Sequence, residues 1–199
     1  MQMLTSQLAG PRFARCANNG REAATVVQVF VLGIDPGLSR CGYGAVRATA
    51  SGPRAQAIGV IRTSPADELP QRLAELQLEL RALIAELQPD VVAIERIFFQ
   101  NNVRTAMSVG QASGLAMAEA VAAGCEVSQY SPNEVKLAVT GDGAADKTQV
   151  QTMVQRLLGL ATPPKPADAA DAAALALCHL AHAPARARLA AATAGRSRR

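Results

Sequence analysis

Val29-Phe30-Val31-Leu32-Gly33-Ile34-Asp35-Pro36-Gly37 joins a short apolar run to a carboxylate and a Pro-Gly turn. Five of its first six residues are apolar, and four of those are β-branched or aromatic, the make-up of a buried strand. Pro36 has no N–H to give a sheet ladder and Gly37 tolerates positive φ, so the strand stops there. Asp35 is thereby carried to the lip of a sheet, where α/β folds commonly bind ligands. Taken alone, an Asp-Pro-Gly segment equally starts an Asx or β-turn. Further carboxylates at matching positions are what distinguish a site from a turn.

Downstream, residues 41–48 and 55–63 predict two more strands, with Ser51-Gly52-Pro53 as the turn of a hairpin. Leu69, Leu73, Leu76, Leu80, Leu83, Ile84 and Leu87 recur at three- and four-residue steps, which predicts an amphipathic helix. Pro70 suits its opening turn and Pro89 lies beyond its end. Asp90-Val91-Val92-Ala93-Ile94-Glu95 then repeats the first pattern, a short apolar strand ending in a carboxylate. A strand, helix and strand of this length favour a parallel crossover, which delivers Glu95 to one end of the sheet. Residues 101–123 predict a helix rich in small side chains, suited to close packing on the sheet or on a second subunit. Cys125–Tyr130 predicts a fifth strand, and Pro132 opens a short helix to about Ala138. Another helix runs from near Asp146 to Leu158, and after Pro163, Pro164 and Pro166 a last one spans roughly 167–182.

The 199 residues suit one domain with a real core. No apolar run reaches membrane-spanning length and no signal-peptide block opens the chain, so the sequence reads as cytosolic. Cys16, Cys41, Cys125 and Cys178 share no metal-type spacing and read as reduced, small hydrophobes. His179 and His182, three apart, are expected at a helix end. The formal net charge is +4, but residues 1–28 carry three Arg and one Glu, and residues 184–199 five Arg and no acid. Residues 29–183 are therefore left at −3, and the basic pI is a property of the ends. Residues 1–28 have no usable period and are expected to be a disordered extension; 184–199 are expected to be a flexible basic tail.

The last helix opens Pro166-Ala167-Asp168-Ala169-Ala170-Asp171, which puts two carboxylates on one face of its first turn. Asp168 could serve as a helix cap, but Asp171 sits among alanines on a helix apolar enough to be buried. Asp35, Glu95, Asp168 and Asp171 thus match in kind. Brought together at about 4 Å, with an effective dielectric constant of about 20, each pair would repel by roughly 4 kcal/mol. Such a cluster protonates or opens unless divalent cations enter it. Carboxylates without His or Cys are hard oxygen donors suited to Mg²⁺ or Mn²⁺, and two such ions are a known device for phosphodiester hydrolysis.

Four segments then follow one another in order. They are Leu32-Gly33-Ile34-Asp35-Pro36-Gly37-Leu38-Ser39-Arg40-Cys41-Gly42-Tyr43-Gly44, Val92-Ala93-Ile94-Glu95-Arg96-Ile97-Phe98, Ala144-Ala145-Asp146-Lys147-Thr148-Gln149-Val150 and Pro166-Ala167-Asp168-Ala169-Ala170-Asp171-Ala172. Across about residues 30–183 the chain resembles the bacterial RuvC Holliday-junction resolvases. The resemblance implies a ribonuclease-H-like α/β fold: a five-stranded mixed sheet, three antiparallel strands beside two parallel ones, with helices on both faces. It implies a homodimer that binds four-way junction DNA and nicks two strands symmetrically during recombination and repair. It further implies Mg²⁺, two ions per site with Mn²⁺ able to substitute, and work in the cytoplasm beside the RuvA–RuvB branch-migration complex.

In that resemblance Asp35, Glu95, Asp168 and Asp171 fall on the catalytic, metal-binding acids, the third of which is His in some relatives. Phe98 falls on the aromatic that stacks on junction bases, and Lys136 and Lys147 on basic residues near the scissile backbone. With Lys165 these two are the only lysines in the chain; every other side-chain cation is Arg. Residues 1–28 precede the family's usual start and are expected to be dispensable, with translation from near Val29 giving the usual length. An actin-like sugar kinase or ATPase opens on a similar motif, but needs a second like domain and a second phosphate-binding loop. A non-catalytic junction binder would retain four acids for structure alone, against the desolvation cost of each buried charge.

Base–aromatic stacking is worth about 1–3 kcal/mol, so Phe98→Ala is expected to slow junction cleavage at least about fivefold while the melting temperature barely moves. A fall in melting temperature that accounts for the lost activity would make Phe98 a core residue.

Overall fold

The computed structural model describes residues 29–96 and 103–196. Within them, β1 (Phe30–Asp35), β2 (Arg40–Thr49) and β3 (Gly52–Arg62) form an antiparallel meander. Helix α1 (Leu69–Leu87) crosses to β4 (Val91–Glu95), and α2 (Val103–Ala122) crosses to β5 (Glu126–Tyr130). Both crossovers produce parallel pairs, β1 with β4 and β4 with β5, so the sheet order is β3-β2-β1-β4-β5. Three helices complete the chain: α3 (Pro132–Thr140), α4 (Lys147–Leu158) and α5 (Ala167–Arg196). The sheet and its two helical layers are those expected of the ribonuclease-H-like class. No helix among the described residues is long and apolar enough to cross a membrane.

Alternation along β1 assigns its side chains to two cores. Phe30, Leu32 and Ile34 face α1 and α2, where Leu76, Leu80, Ile84, Ala112, Ala116 and Ala120 meet them. Val31 faces the other way, toward Val135, Val139, Val150, Val154 and the Ala-rich stretch of α5. On the first face a buried carboxylate ties the two helices together: Glu119 accepts from Arg81 Nε and Nη2, each at 2.9 Å, and from Gln77 Nε2 at 2.6 Å. Those donors hold Glu119 down to about 2, well below the usual carboxylate range.

On the second face α5 comes unusually close to the strands. Gly33 and Gly44 lie opposite each other in the β1–β2 ladder, and Gly42 lies opposite Asp35. A Cβ on Gly44 would sit 2.6 Å from Ala173 Cα, and one on Gly33 would run into the Ala172 carbonyl with Ala176 N at 2.9 Å. A Cβ on Gly42 would strike the Asp168 carbonyl. Three glycines thus form a furrow into which α5 settles, with only Ala residues or bare backbone at the contact.

Some boundaries differ from expectation. The β2–β3 turn is tighter, with β3 starting at Gly52, whose φ of 109° suits glycine alone. Helix α3 runs to Thr140 and ends on Gly141 in the left-handed region. The largest correction is at the end of the chain: α5 passes Pro184 and continues to Arg196, where a loose tail was expected. Ala, Arg and Leu are among the strongest helix formers, and they carry the helix past one proline. The expected N-terminal extension, residues 1–28, lies outside the described residues.

Filling the furrow tests it. Gly33→Ala gains about 0.4–1 kcal/mol from a stiffer unfolded chain, but overpacking against backbone that cannot step aside costs about 1–3 kcal/mol or more. Net destabilisation is expected in urea unfolding, together with loss of activity beyond what the unfolded fraction explains.

Candidate active site

Parallel pairing of β1 with β4 places Ile34 beside Ile94, so Asp35 and Glu95 follow as neighbours at the same sheet end. Both have the parity of Val31 and Ala93, whose side chains face α5. The start of α5 supplies Asp168 and Asp171 to the same place, because Asp168 lies over Gly42, the ladder partner of Asp35. The four acids line one cleft of about 480 Å³ together with Lys136, Lys147, Pro132, Val135, Val150, Ala174 and Leu175.

Two reciprocal capping boxes fix the helices that bring the lysines. Ser131 Oγ accepts from Glu134 N while Glu134 Oε2 accepts from Ser131 N, which anchors α3 and with it Lys136. Asp146 and Gln149 do the same for α4, whose first residue is Lys147. An ammonium at the positive end of a helix is unfavourable by itself. Lys147 answers this by placing Nζ 2.6 Å from Asp171 Oδ2. Arg40, the first residue of β2, brings Nε to 3.4 Å from Asp168 Oδ2.

The electrostatics are those of a site short of positive charge. Burial first, and then Asp171, Glu95 and Asp168, push the Asp35 carboxyl up to about 7, against the pull of Lys147. Burial and Asp171 also raise Glu95, with Lys147 again opposing. Lys147 is held above the ordinary lysine range, chiefly by its hydrogen bond to Asp171. No three carboxylate, imidazole or thiol groups among the described residues converge tightly enough to hold an ion as they stand. Two of the acids, Asp171 and Asp168, are occupied by Lys147 and Arg40. The donor chemistry nonetheless fits a hard divalent cation: four carboxylates, no His or Cys in the lining, and an Asp35 carboxyl raised by burial and by its acidic neighbours.

Six of the seven residues expected at a site therefore line one cleft: Asp35, Glu95, Asp168, Asp171, Lys136 and Lys147. Phe98 lies outside the described residues. Arg40 was not singled out from the sequence, although it stands inside the first of the four quoted segments. The two histidines are a correction. They lie in the body of α5 rather than at a helix end, His179 buried with Nδ1 2.9 Å from Tyr130 Oη, and His182 Nδ1 2.8 Å from the Cys178 carbonyl. Both follow from the greater length of α5.

A family model described as crossover junction endodeoxyribonuclease RuvC matches residues 31–179. The chain belongs to the RuvC family. A relative from Salinispora arenicola, described as crossover junction endodeoxyribonuclease RuvC, is 56% identical over 170 residues, which cover 85% of this chain and 97% of that protein. Thermus thermophilus RuvC, 34% identical, superposes with a TM-score of 0.73 over 78% of this chain and 96% of that one. The same enzyme in complex with Holliday junction substrate gives a TM-score of 0.74 at 36% identity, covering 78% and 94%. The yeast mitochondrial Holliday junction resolvase Ydc2, at 18% identity and a TM-score of 0.56, shares the fold.

For this RuvC-family chain the raised acid gives a signed pH dependence. Asp35 moves from 3.8 to about 7 on folding, so its contribution is neutral below about pH 4 and increasingly destabilising as pH rises toward 7. The limit is about 4 kcal/mol. In EDTA, Asp35→Asn is expected to melt higher than the unaltered protein at pH 8, with the difference fading as pH falls to 4. Mg²⁺ is expected to stabilise only the unaltered protein. Equal melting temperatures at every pH would remove Asp35 from the charged cluster.

Proposed function

We infer that this protein is a structure-selective endodeoxyribonuclease that resolves four-way DNA junctions by hydrolysing phosphodiester bonds. One observation carries the reading: carboxylates from β1, β4 and α5 and lysines from α3 and α4 line a single cleft at the C-terminal ends of parallel strands, in a chain of the RuvC family. Among solved relatives, Thermus thermophilus RuvC is described in complex with Holliday junction substrate.

Asp35, Glu95, Asp168 and Asp171 would hold Mg²⁺, with Mn²⁺ as a substitute, and four carboxylates suit two ions. Held there, the ions would supply Lewis acidity to the attacking water and positive charge to the leaving 3′ oxygen. The chain's own groups do the rest. Lys136 and Lys147 line the cleft and meet the phosphate backbone through charge-assisted hydrogen bonds. Val135, Val150 and Leu175 wall the cleft with apolar surface, which lowers the local dielectric constant and strengthens each charge in it. Phe98, three residues beyond Glu95, stacks on a base at the branch point. Hydrolysis adds the water oxygen to phosphorus as the bond to the 3′ oxygen breaks, leaving a 5′-phosphate and a 3′-hydroxyl.

Symmetric resolution needs two cuts, and one chain offers one such cleft, so the working unit is a homodimer. Helix α2 offers a surface for it: Met107 and Val121 are 62% and 65% exposed, and between them Gly110 and Gly114 have open space where a Cβ would be. A DNA substrate supports a cytoplasmic site of action, and membership of the RuvC family supports the RuvA–RuvB complex as a partner.

The decisive experiment incubates the protein with a synthetic four-way junction in Mg²⁺ and in EDTA. Cleavage is expected only in Mg²⁺, with binding in both. Asp35→Asn, Glu95→Gln and Asp171→Asn should each lower cleavage at least about a thousandfold and leave junction binding intact or tighter, since less negative charge faces the phosphates. Asp168→Asn should cost less, and Asp168→His should retain activity with Mn²⁺, an ion that accepts imidazole. Nicking by Asp35→Asn at the unaltered rate would overturn the assignment.

A further inference from the structure

Lys147 and Arg40 stand in the same relation to the acids. Each is a long, flexible cation rooted at the first residue of an element, α4 for Lys147 and β2 for Arg40. Each is paired to one carboxylate of the α5 pair: Lys147 Nζ to Asp171 at 2.6 Å, Arg40 Nε to Asp168 at 3.4 Å. Both remain more than half exposed, at 59% and 58%, while Asp171 and Asp168 are 30% and 22% exposed. The cations therefore stand at the mouth with the acids behind them. Asp35 and Glu95, deeper in the cleft, have no ion pair among those found in the described residues.

An exposed ion pair is weak, because water screens it and two long side chains must be held still. A DNA phosphate arriving at the mouth offers either cation a charge-assisted contact without taking it out of solvent. The carboxylate left behind is then unpaired among other carboxylates, the condition in which a divalent cation binds best.

We propose that Arg40 and Lys147 are exchangeable counter-ions: in the free protein they occupy Asp168 and Asp171, and on DNA entry both transfer to phosphates and release the two acids to metal. This rests on the reading of the acids as a metal site and adds two things to it. Arg40 becomes a DNA-backbone contact, and junction binding and metal binding become coupled, each raising the affinity for the other by the same factor. The protein alone then has low affinity for free divalent cations, so hydrolytic capacity is assembled only where DNA is present.

The test measures Mn²⁺ binding to the full-length protein without DNA, by loss of the free Mn²⁺ signal in electron paramagnetic resonance. Lys147→Gln is expected to tighten binding about fivefold, the scale of one exposed ion pair, and Arg40→Gln to tighten it by less. Lys136→Gln removes the same charge from the same cleft, where no ion pair to Lys136 is found among the described residues, and should change binding little. If Lys136→Gln tightens binding as much as Lys147→Gln, the effect is the general field of the cleft and the exchange is refuted. Unchanged or weaker binding in Lys147→Gln also refutes it. Asp171→Asn separates the two levels: if it binds Mn²⁺ as the unaltered protein does, the metal-site reading has failed, whereas lost binding there with no gain in Lys147→Gln means that only the exchange has failed.

A second readout uses the chain's three lysines. With ¹⁵N-lysine labelling, the Lys147 ammonium resonance should be protected from solvent exchange in the free protein and lose that protection on Mg²⁺ addition. Protection that persists at saturating Mg²⁺ would contradict the exchange.

Discussion

The contact on which the rest of the structure depends is the one between α5 and the glycine furrow of β1 and β2. Gly33, Gly42 and Gly44 leave no side chain between strand and helix, so α5 rests on backbone through Ala172, Ala173 and the Asp168 carbonyl. Contact at that range depends steeply on shape: a few tenths of an ångström of slip along the helix forfeits dispersion on one side and overlaps on the other. Helix α5 is thereby fixed along its axis as well as at a given height. Asp168 and Asp171 are at its first turn, and their distance from Asp35 is set by the same contact. The Ala-rich composition of the helix and the glycines of the strands are one constraint seen from two sides.

Chain polarity does the rest of the positioning. Parallel β1 and β4 both end at the cleft, which brings Asp35 and Glu95 there as C-terminal residues of their strands. Helix α5 begins at the cleft, so its positive end faces the acids, worth about 0.3–1 kcal/mol for each nearby carboxylate. That does not offset burial and mutual repulsion, which still raise Asp35 and Glu95. The remainder is met by protonating Asp35 near neutrality and by the cations Lys147 and Arg40. The strain is borne by the two cores that hold β1 from either face, with Leu32 and Ile34 on one side and Val31 on the other fully buried.

Much of this is legible in the sequence because it is written in local periods. The step pattern of leucines defines α1 from Leu69 to Leu87, and the apolar run ending in Asp35 defines β1. Six of the seven expected site residues share a cleft because strand ends and helix starts are themselves readable positions. Longer-range facts are not. Asp168 could be read as a helix cap, but its pairing with Arg40 depends on how β2 approaches α5, which no local period records. The tail after Pro184 contains both a breaker and strong helix formers, and propensity alone does not say which prevails over a thirty-residue helix. That misjudged length also displaced His179 and His182, which lie in the body of the helix and meet Tyr130 at the end of β5 and the Cys178 carbonyl of α5 itself.

The distribution of charge bears on how such a site meets DNA at all. Positive charge is concentrated in residues 1–28 and 184–199, while residues 29–183 carry −3. A phosphate backbone approaching the cleft is therefore repelled by the acids unless cations stand in front of them. Lys147 and Arg40 stand there, each more than half exposed and each rooted on a capped helix or a sheet strand rather than on a loose loop. The positive charge at the cleft is thus local, held within a few ångströms of the acids it neutralises. Net charge therefore says little about this cleft, where the balance is set by four acids and the cations beside them.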